Sequence, residues 1–269
     1  MQLTFQSVSK TFSHRLGKDA VAALENIDLS IASGEFVAIL GPSGCGKSTL
    51  LEIVAGLQAP TSGEVLLGGE PVHSPHPRVS VVFQEDSTFP WRTVAENVAF
   101  GLEMRGVRKA ERDDAVAHAI GLVGLRGFEG HYPHQLSGGM RQRVAIARTL
   151  VMNPAVLLMD EPFGALDEQT RFVIGEELLR IWDATRCTIF FVTHSLHEAV
   201  QLADRIVVLS ARPGRIKNIF ENRLSRPRLE AKDPQTYAVL MASLREAIGL
   251  TSAAFNPDDP RIKPARAAG

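Results

Sequence analysis

Short apolar runs alternate with stretches of helical period along most of this chain. Residues 3–8 and 21–31 show partial two-residue alternation, which predicts strands on either side of a loop near 9–17. A turn at Ser33-Gly34 precedes the run 35–40, which is apolar almost throughout, as a strand buried on both faces must be. Residues 47–56 read as a helix closed by Gly56. The turn-rich stretch 57–80, with Gly63, Gly68, Gly69, Pro71, Pro75 and Pro77, predicts a hairpin and a surface loop, and a short strand follows at 80–83. Helical period then takes over at 93–104, 108–123 and 139–150. Beyond it, strands at 156–159, 188–192 and 205–209 alternate with helices at 168–184 and 196–203. That alternation predicts a parallel sheet covered on both faces. The helical block between Gln84 and Ser137 interrupts it and reads as an inserted subdomain. From about Arg212 onward the pattern offers one helix, 234–248, and a Pro/Ala/charge-rich end at 256–269 expected to be disordered.

Composition narrows the class without naming a chemistry. The 269 residues are 45% hydrophobic and 22% charged, ordinary values for a globular chain of one large domain or a domain with a small insert. A formal net charge of −1 gives no general basic surface for a nucleic-acid backbone, and no nucleic-acid partner is expected. The two cysteines, Cys45 and Cys187, have neither metal-ligand spacing nor a disulfide framework, which suits a reducing compartment. No basic segment leads into an apolar one at Met1, and no apolar run approaches the roughly 20 residues of a membrane span. The expectation is a cytoplasmic protein that meets a membrane through a partner.

The chemistry sits in five motifs. Gly41-Pro42-Ser43-Gly44-Cys45-Gly46-Lys47-Ser48-Thr49 follows an apolar strand and opens a helix. Its glycines let backbone N–H groups point inward as an anion nest, Lys47 adds a cation for β- and γ-phosphates, and Ser48 offers a hydroxyl to Mg²⁺. Thr49 is placed to bond the α-phosphate. The run Val156-Leu157-Leu158-Met159 stops at Asp160-Glu161, so two carboxylates reach the sheet's carboxyl edge, and strand alternation gives them different roles. Asp160 is read as part of the Mg²⁺ shell and Glu161 as the residue that polarises the attacking water. Leu136-Ser137-Gly138-Gly139-Met140 lies 24 residues before Asp160 and forms either a second anion site or a plain helix cap. Gln84 and His194 each follow a predicted strand.

This ordered set resembles the ATP-binding subunit of an ABC transporter over about residues 3–215. The resemblance implies a P-loop NTPase (RecA-like) α/β core with an antiparallel β subdomain and an inserted α-helical subdomain at about 88–150. An ATPase domain would then span 1–215, with a helical extension and tail at 216–269. It implies ATP and Mg²⁺ as ligands, with Gln84 contacting Mg²⁺ or the attacking water and His194 contacting the γ-phosphate. On this resemblance Lys47, Gln84, Glu161 and His194 would carry the catalysis. Ser137 and Gly139 would act in trans on ATP held by a second copy, and Asp167, in Ala165-Leu166-Asp167, would join the nucleotide-binding residues and shape communication between the two active sites. Phe12 matches an adenine-stacking aromatic, or is simple core. Met140 stands where glutamine is commoner, and Ser195 where aspartate is usual.

The same resemblance implies a homodimer at the cytoplasmic face of the inner membrane, peripheral to a permease and indirectly served by a solute-binding protein. Trp91 would face that permease, or else fill the subdomain core. The stretches 89–98, 161–167 and 207–216 are similar to bacterial importer ATPases of the nitrate/sulfonate/taurine/bicarbonate group. An exporter subunit and a non-transport ABC ATPase are the alternatives. A P-loop kinase or GTPase lacks the Leu-Ser-Gly-Gly element.

Overall fold

The computed structural model describes residues 1–13, 20–84, 87–164 and 166–249; Ala165 and the expected tail at 256–269 lie outside the described residues. Its strands are β1 (Leu3–Phe12), β2 (Val21–Ile31), β3 (Phe36–Leu40), β4 (Ser62–Leu67), β5 (Glu70–Pro71), β6 (Val79–Val82), β7 (Val156–Asp160), β8 (Thr188–Thr193), β9 (Arg205–Leu209) and β10 (Ile216–Glu221). The helices are α1 (Lys47–Val54), α2 (Val94–Met104), α3 (Lys109–Leu122), α4 (Gly138–Leu150), α5 (Glu168–Thr185), α6 (Leu196–Leu202) and α7 (Pro234–Ala247).

Six strands form the central sheet in the order β10-β9-β3-β8-β7-β6, and four form a second, antiparallel sheet in the order β2-β1-β4-β5. The β3, β8, β7, β6 and β9 pairings are parallel, and only the edge strand β10 runs antiparallel to its neighbour. Period-2 alternation divides the core between the two faces of this sheet. Phe36, Ala38, Leu157, Met159, Ile189 and Phe191 point toward the α2–α6 side. Val37, Ile39, Leu158, Phe190 and Val192 point toward α1 and the antiparallel sheet. Helix-and-sheet cover on both faces is the predicted α/β arrangement with an antiparallel β subdomain.

The block between β6 and β7 is helical, as its period predicts. Helix α2 begins with a reciprocal cap in which Thr93 accepts from Glu96 N while the Glu96 carboxylate accepts from Thr93 N. Asn97, fully buried, holds the preceding loop: its Oδ1 accepts from Phe89 N at 2.7 Å, and its amide donates to the carbonyls of Phe89, Arg92 and Thr93. That loop carries Trp91, which is 71% exposed rather than packed in the subdomain core.

The stretch after Arg212 differs from the sequence reading. It contains β10, which completes the central sheet, and not only the helix α7. The extension is strapped onto the core by polar contacts. Asn222 donates to the Val200 and Ala203 carbonyls, and Arg226 and Arg228 both pair with Asp204 at 2.8 and 2.9 Å. Asn97→Ala leaves several loop groups unpaired and is expected to lower the unfolding free energy by about 1–3 kcal/mol. Denaturant titration checks this, alongside faster proteolysis at 89–93.

Candidate functional site

The carboxyl ends of β3, β8 and β7 bring the chemistry together. Strand register aligns Leu40 with Thr193 and Asp160 with Val192, so the residues that follow emerge side by side. After Leu40 the glycine loop turns back on itself. Gly44 and Gly46 have φ of +75° and +102°, and Gly46 caps the N-terminus of α1 in the left-handed conformation. A Cβ at Gly46 would lie 2.8 Å from the Ala23 carbonyl oxygen, so the space and the backbone both demand glycine. Lys47 opens the helix and is buried, its ammonium donating to the carbonyls of Gly41 at 2.9 Å and Pro42 at 3.2 Å. Cys45 packs inward with the core, and burial pushes its thiol up from its ordinary value. Its side chain serves packing, and its backbone serves the loop.

The two carboxylates do face differently. Ser48 donates its hydroxyl to the Asp160 carboxylate, while Asp160 Oδ1 is buried without a partner. Burial raises the Asp160 pKa above the usual carboxylate range, opposed by the Ser48 bond. A hydroxyl and an unsatisfied carboxylate oxygen are hard donors, which fit a divalent cation such as Mg²⁺. Among the described residues no group of three or more His, Cys, Asp or Glu could hold a metal.

Glu161 sits at φ +43°, a backbone state that costs about 1–3 kcal/mol for a non-glycine residue and persists where its surroundings impose it. Its carboxylate is fixed from two sides, by Lys47 Nζ at 3.7 Å and by His194 Nδ1 at 2.8 Å. Because a carboxylate only accepts, His194 donates from Nδ1 in this contact. Phe163, fully buried, anchors the loop that follows.

Phe12, Lys47, Ser48, Thr49, Gln84 and Glu161 line one cleft of about 530 Å³. Phe12 is 41% exposed at its mouth, with the Lys10 ammonium 5.3 Å from the ring centre, so it is not core. Arg212 lines the same cleft and donates to the Gly44 carbonyl at 3.2 Å. The sequence reading missed it as a site residue. Its only signal was membership of the 207–216 stretch, which returns to the phosphate loop through the fold alone.

Ser137, Gly139 and Asp167 are elsewhere. Ser137 and Gly139 line a second cleft of about 410 Å³, and neither they nor Asp167 is among the described residues lining the first. Ser137 caps α4 by accepting from Met140 N at 3.3 Å, and Asp167 caps α5 by accepting from Thr170 N at 2.9 Å. A Cβ at Gly139 would come within 2.8 Å of Thr170 Cγ2, which keeps the two caps close. The Thr170 N–H holds the Asp167 carboxyl below its usual range.

A glycine nest at a helix start, a buried lysine and paired carboxylates at the edge of a parallel sheet define a P-loop nucleotide-binding protein. The comparisons go further. A family model described as ABC transporter matches residues 24–164. An uncharacterised ABC transporter ATP-binding protein of Methanocaldococcus jannaschii is 54% identical over 228 residues, 85% of each chain. An aliphatic sulfonates import ATP-binding protein of Bacillus thuringiensis subsp. konkukian is 48% identical over 85% of this chain and 89% of its own. Among solved structures, a dimeric ATP-binding cassette in a post-hydrolysis state with ADP and Pi is 33% identical, with TM-score 0.72, covering 82% of this chain and 99% of its own. The chain belongs to the ABC transporter family, as an ATP-binding and ATP-hydrolysing subunit.

Gly46→Ala forces a left-handed alanine against the Ala23 carbonyl. It is expected to lose at least about 1–2 kcal/mol of stability, read from the shift of the denaturation midpoint.

Proposed function

We propose that this chain energises an importer by hydrolysing ATP between two copies of itself, each bound to a membrane permease. The observation that carries the reading is the contact set Lys47–Glu161–His194 on the wall of the phosphate-loop cleft. Gly41 to Gly46 would cradle the phosphates with backbone N–H groups, Lys47 would meet the β- and γ-phosphates, and Phe12 would lie against the base. Arg212 adds a further cation at the loop. Ser48 and Asp160, with Gln84, would hold Mg²⁺, which when bound neutralises phosphate charge during transfer. Glu161 would orient and polarise the attacking water, and His194 would hold Glu161 in place while reaching the γ-phosphate.

Ser137 and Gly139 make sense in this scheme as the other half of a second copy's site. They form an N-terminal cap with a glycine pressed against a neighbouring helix, in a cleft apart from the phosphate loop of the same chain. Helix N-termini favour anions, so ATP could join the two halves through its γ-phosphate. Closure would surround the reacting phosphoryl group with fixed dipoles and exclude water, and hydrolysis would remove the bridge. The dimeric form of the cassette neighbours supports this arrangement.

The permease is proposed to dock at the loop before α2. Trp91 is exposed there, 5.6 Å from the Phe89 ring, which itself packs on Phe100 with Arg92 and Arg148 over the aromatic faces. Among the described residues no helix is long and apolar enough to cross a membrane. Import, and a solute of the sulfonate, nitrate or taurine kind, are supported by the Bacillus relatives named for aliphatic sulfonates import and by the stretches 89–98, 161–167 and 207–216.

Glu161→Gln is expected to keep ATP affinity and lose at least about 10²-fold in turnover; wild-type hydrolysis by this variant would remove Glu161 from the mechanism. Trp91→Ala is expected to leave the ATPase rate of the isolated subunit within about twofold and weaken copurification of a multi-span permease about tenfold or more. Recovery of no membrane protein by the wild-type chain, pulled down from its native membranes in mild detergent, would overturn the transporter reading.

A further inference from the structure

Glu198 lies on α6, outside the lining of the nucleotide cleft, and its carboxyl is buried. Burial pushes its carboxyl above the usual range, with the Thr193 hydroxyl bond and the Arg171 guanidinium opposing. A buried ionisable group that keeps such partners is expensive to retain, and its contacts show what it holds. The Thr193 hydroxyl donates to Glu198 Oε2 and accepts from Ser195 N at 2.9 Å. Ser195 Oγ in turn accepts from Glu198 N at 3.3 Å. The residue between Thr193 and Ser195 is His194, so both of its chain neighbours are fastened to one carboxylate-bearing residue.

The other side of Glu198 reaches α5. Arg171 Nε is 3.3 Å from Glu198 Oε1, and Arg171 Nη2 donates to the Leu166 carbonyl at 2.9 Å. Leu166 belongs to the loop that starts at Glu161, through the bonds Gly164 N to Glu161 O and Leu166 N to Phe163 O. The contacts therefore close into a ring: Glu161, His194, the Thr193–Ser195 turn, Glu198, Arg171, Leu166 and back along the loop to Glu161. A ring of this kind over-determines the position of each member, which is what a strained φ of +43° at Glu161 requires.

We propose that Glu198, anchored by Arg171, is a positioning residue for hydrolysis that acts through His194 by fixing the turn that carries it. The ring also ties His194 to the start of α5, where Asp167 stands, so motion at one is felt at the other. This inference rests on the role proposed above for His194.

The test is a double-mutant cycle on ATP turnover with Glu198→Gln, which keeps the shape and an acceptor for Thr193 while removing the charge that holds Arg171. The expected result is a fall of about tenfold in kcat in the wild-type background. Affinity for ATP in a filter-binding assay should stay within about twofold, since Glu198 lies outside the cleft. In the His194→Ala background the same substitution should change kcat by less than about twofold, because the turn then has nothing to position. Single-turnover measurements with enzyme in excess give the ratio where the steady-state rate is too slow. Arg171→Gln cuts the link from the other side and should give the same pair of ratios, which covers the case in which Glu198→Gln fails to fold. An equal loss in both backgrounds would overturn the inference. Wild-type turnover by His194→Ala alone would instead overturn the role of His194.

Discussion

The parallel register of β3, β8 and β7 places a buried cation and a carboxylate within reach of each other, and the site is arranged around that pairing. Leu40 stands opposite Thr193, and Asp160 opposite Val192. Lys47 therefore enters α1 beside the loop that leaves β7, and its ammonium faces Glu161 at 3.7 Å. A buried ammonium needs oxygen partners, and the Gly41 and Pro42 carbonyls supply two of them. A shift of one residue in any of these strands would exchange the side chains packed on its two buried faces. The tightly divided core, with Phe190 and Val192 on one side and Ile189 and Phe191 on the other, thus holds the register on which the site depends.

Strain collects where that pairing meets the nucleotide cleft. Glu161 keeps an unfavourable backbone while its side chain is fixed by Lys47 and His194, and the ring through Glu198 and Arg171 supports the same loop from behind. The second cleft, with Ser137 and Gly139, is lined by the inserted helical block and by α5, the helix whose Arg171 belongs to the ring. The two clefts of one chain divide the work in the proposed scheme, and a second copy brings them together around ATP.

Much of this was legible from residue order alone. The glycine loop could be read because its φ requirements exclude other residues, and the run ending in Asp160-Glu161 because an all-apolar strand has few places to stop. The edge strand β10 was not legible: Ile216 to Glu221 is mostly exposed and carries neither apolar continuity nor clear alternation. Arg212 escaped for another reason, since its place beside Gly44 depends on a return of the chain from a distant strand. Phe12 and Trp91 were ambiguous as single aromatics, and exposure separates them from the core. The trans role proposed for Ser137 rests on family resemblance alone, because in one chain it is a helix cap.

The Ser137 turn is proposed to complete the ATP site of another copy. Sedimentation velocity of a turnover-deficient chain with ATP and Mg²⁺, with and without an added Ser137→Arg, tests it most directly, provided ATP binding per chain is confirmed by dialysis. Dimers are expected without the added change and ATP-loaded monomers with it. Equal dimerisation of the two proteins would contradict the proposed role.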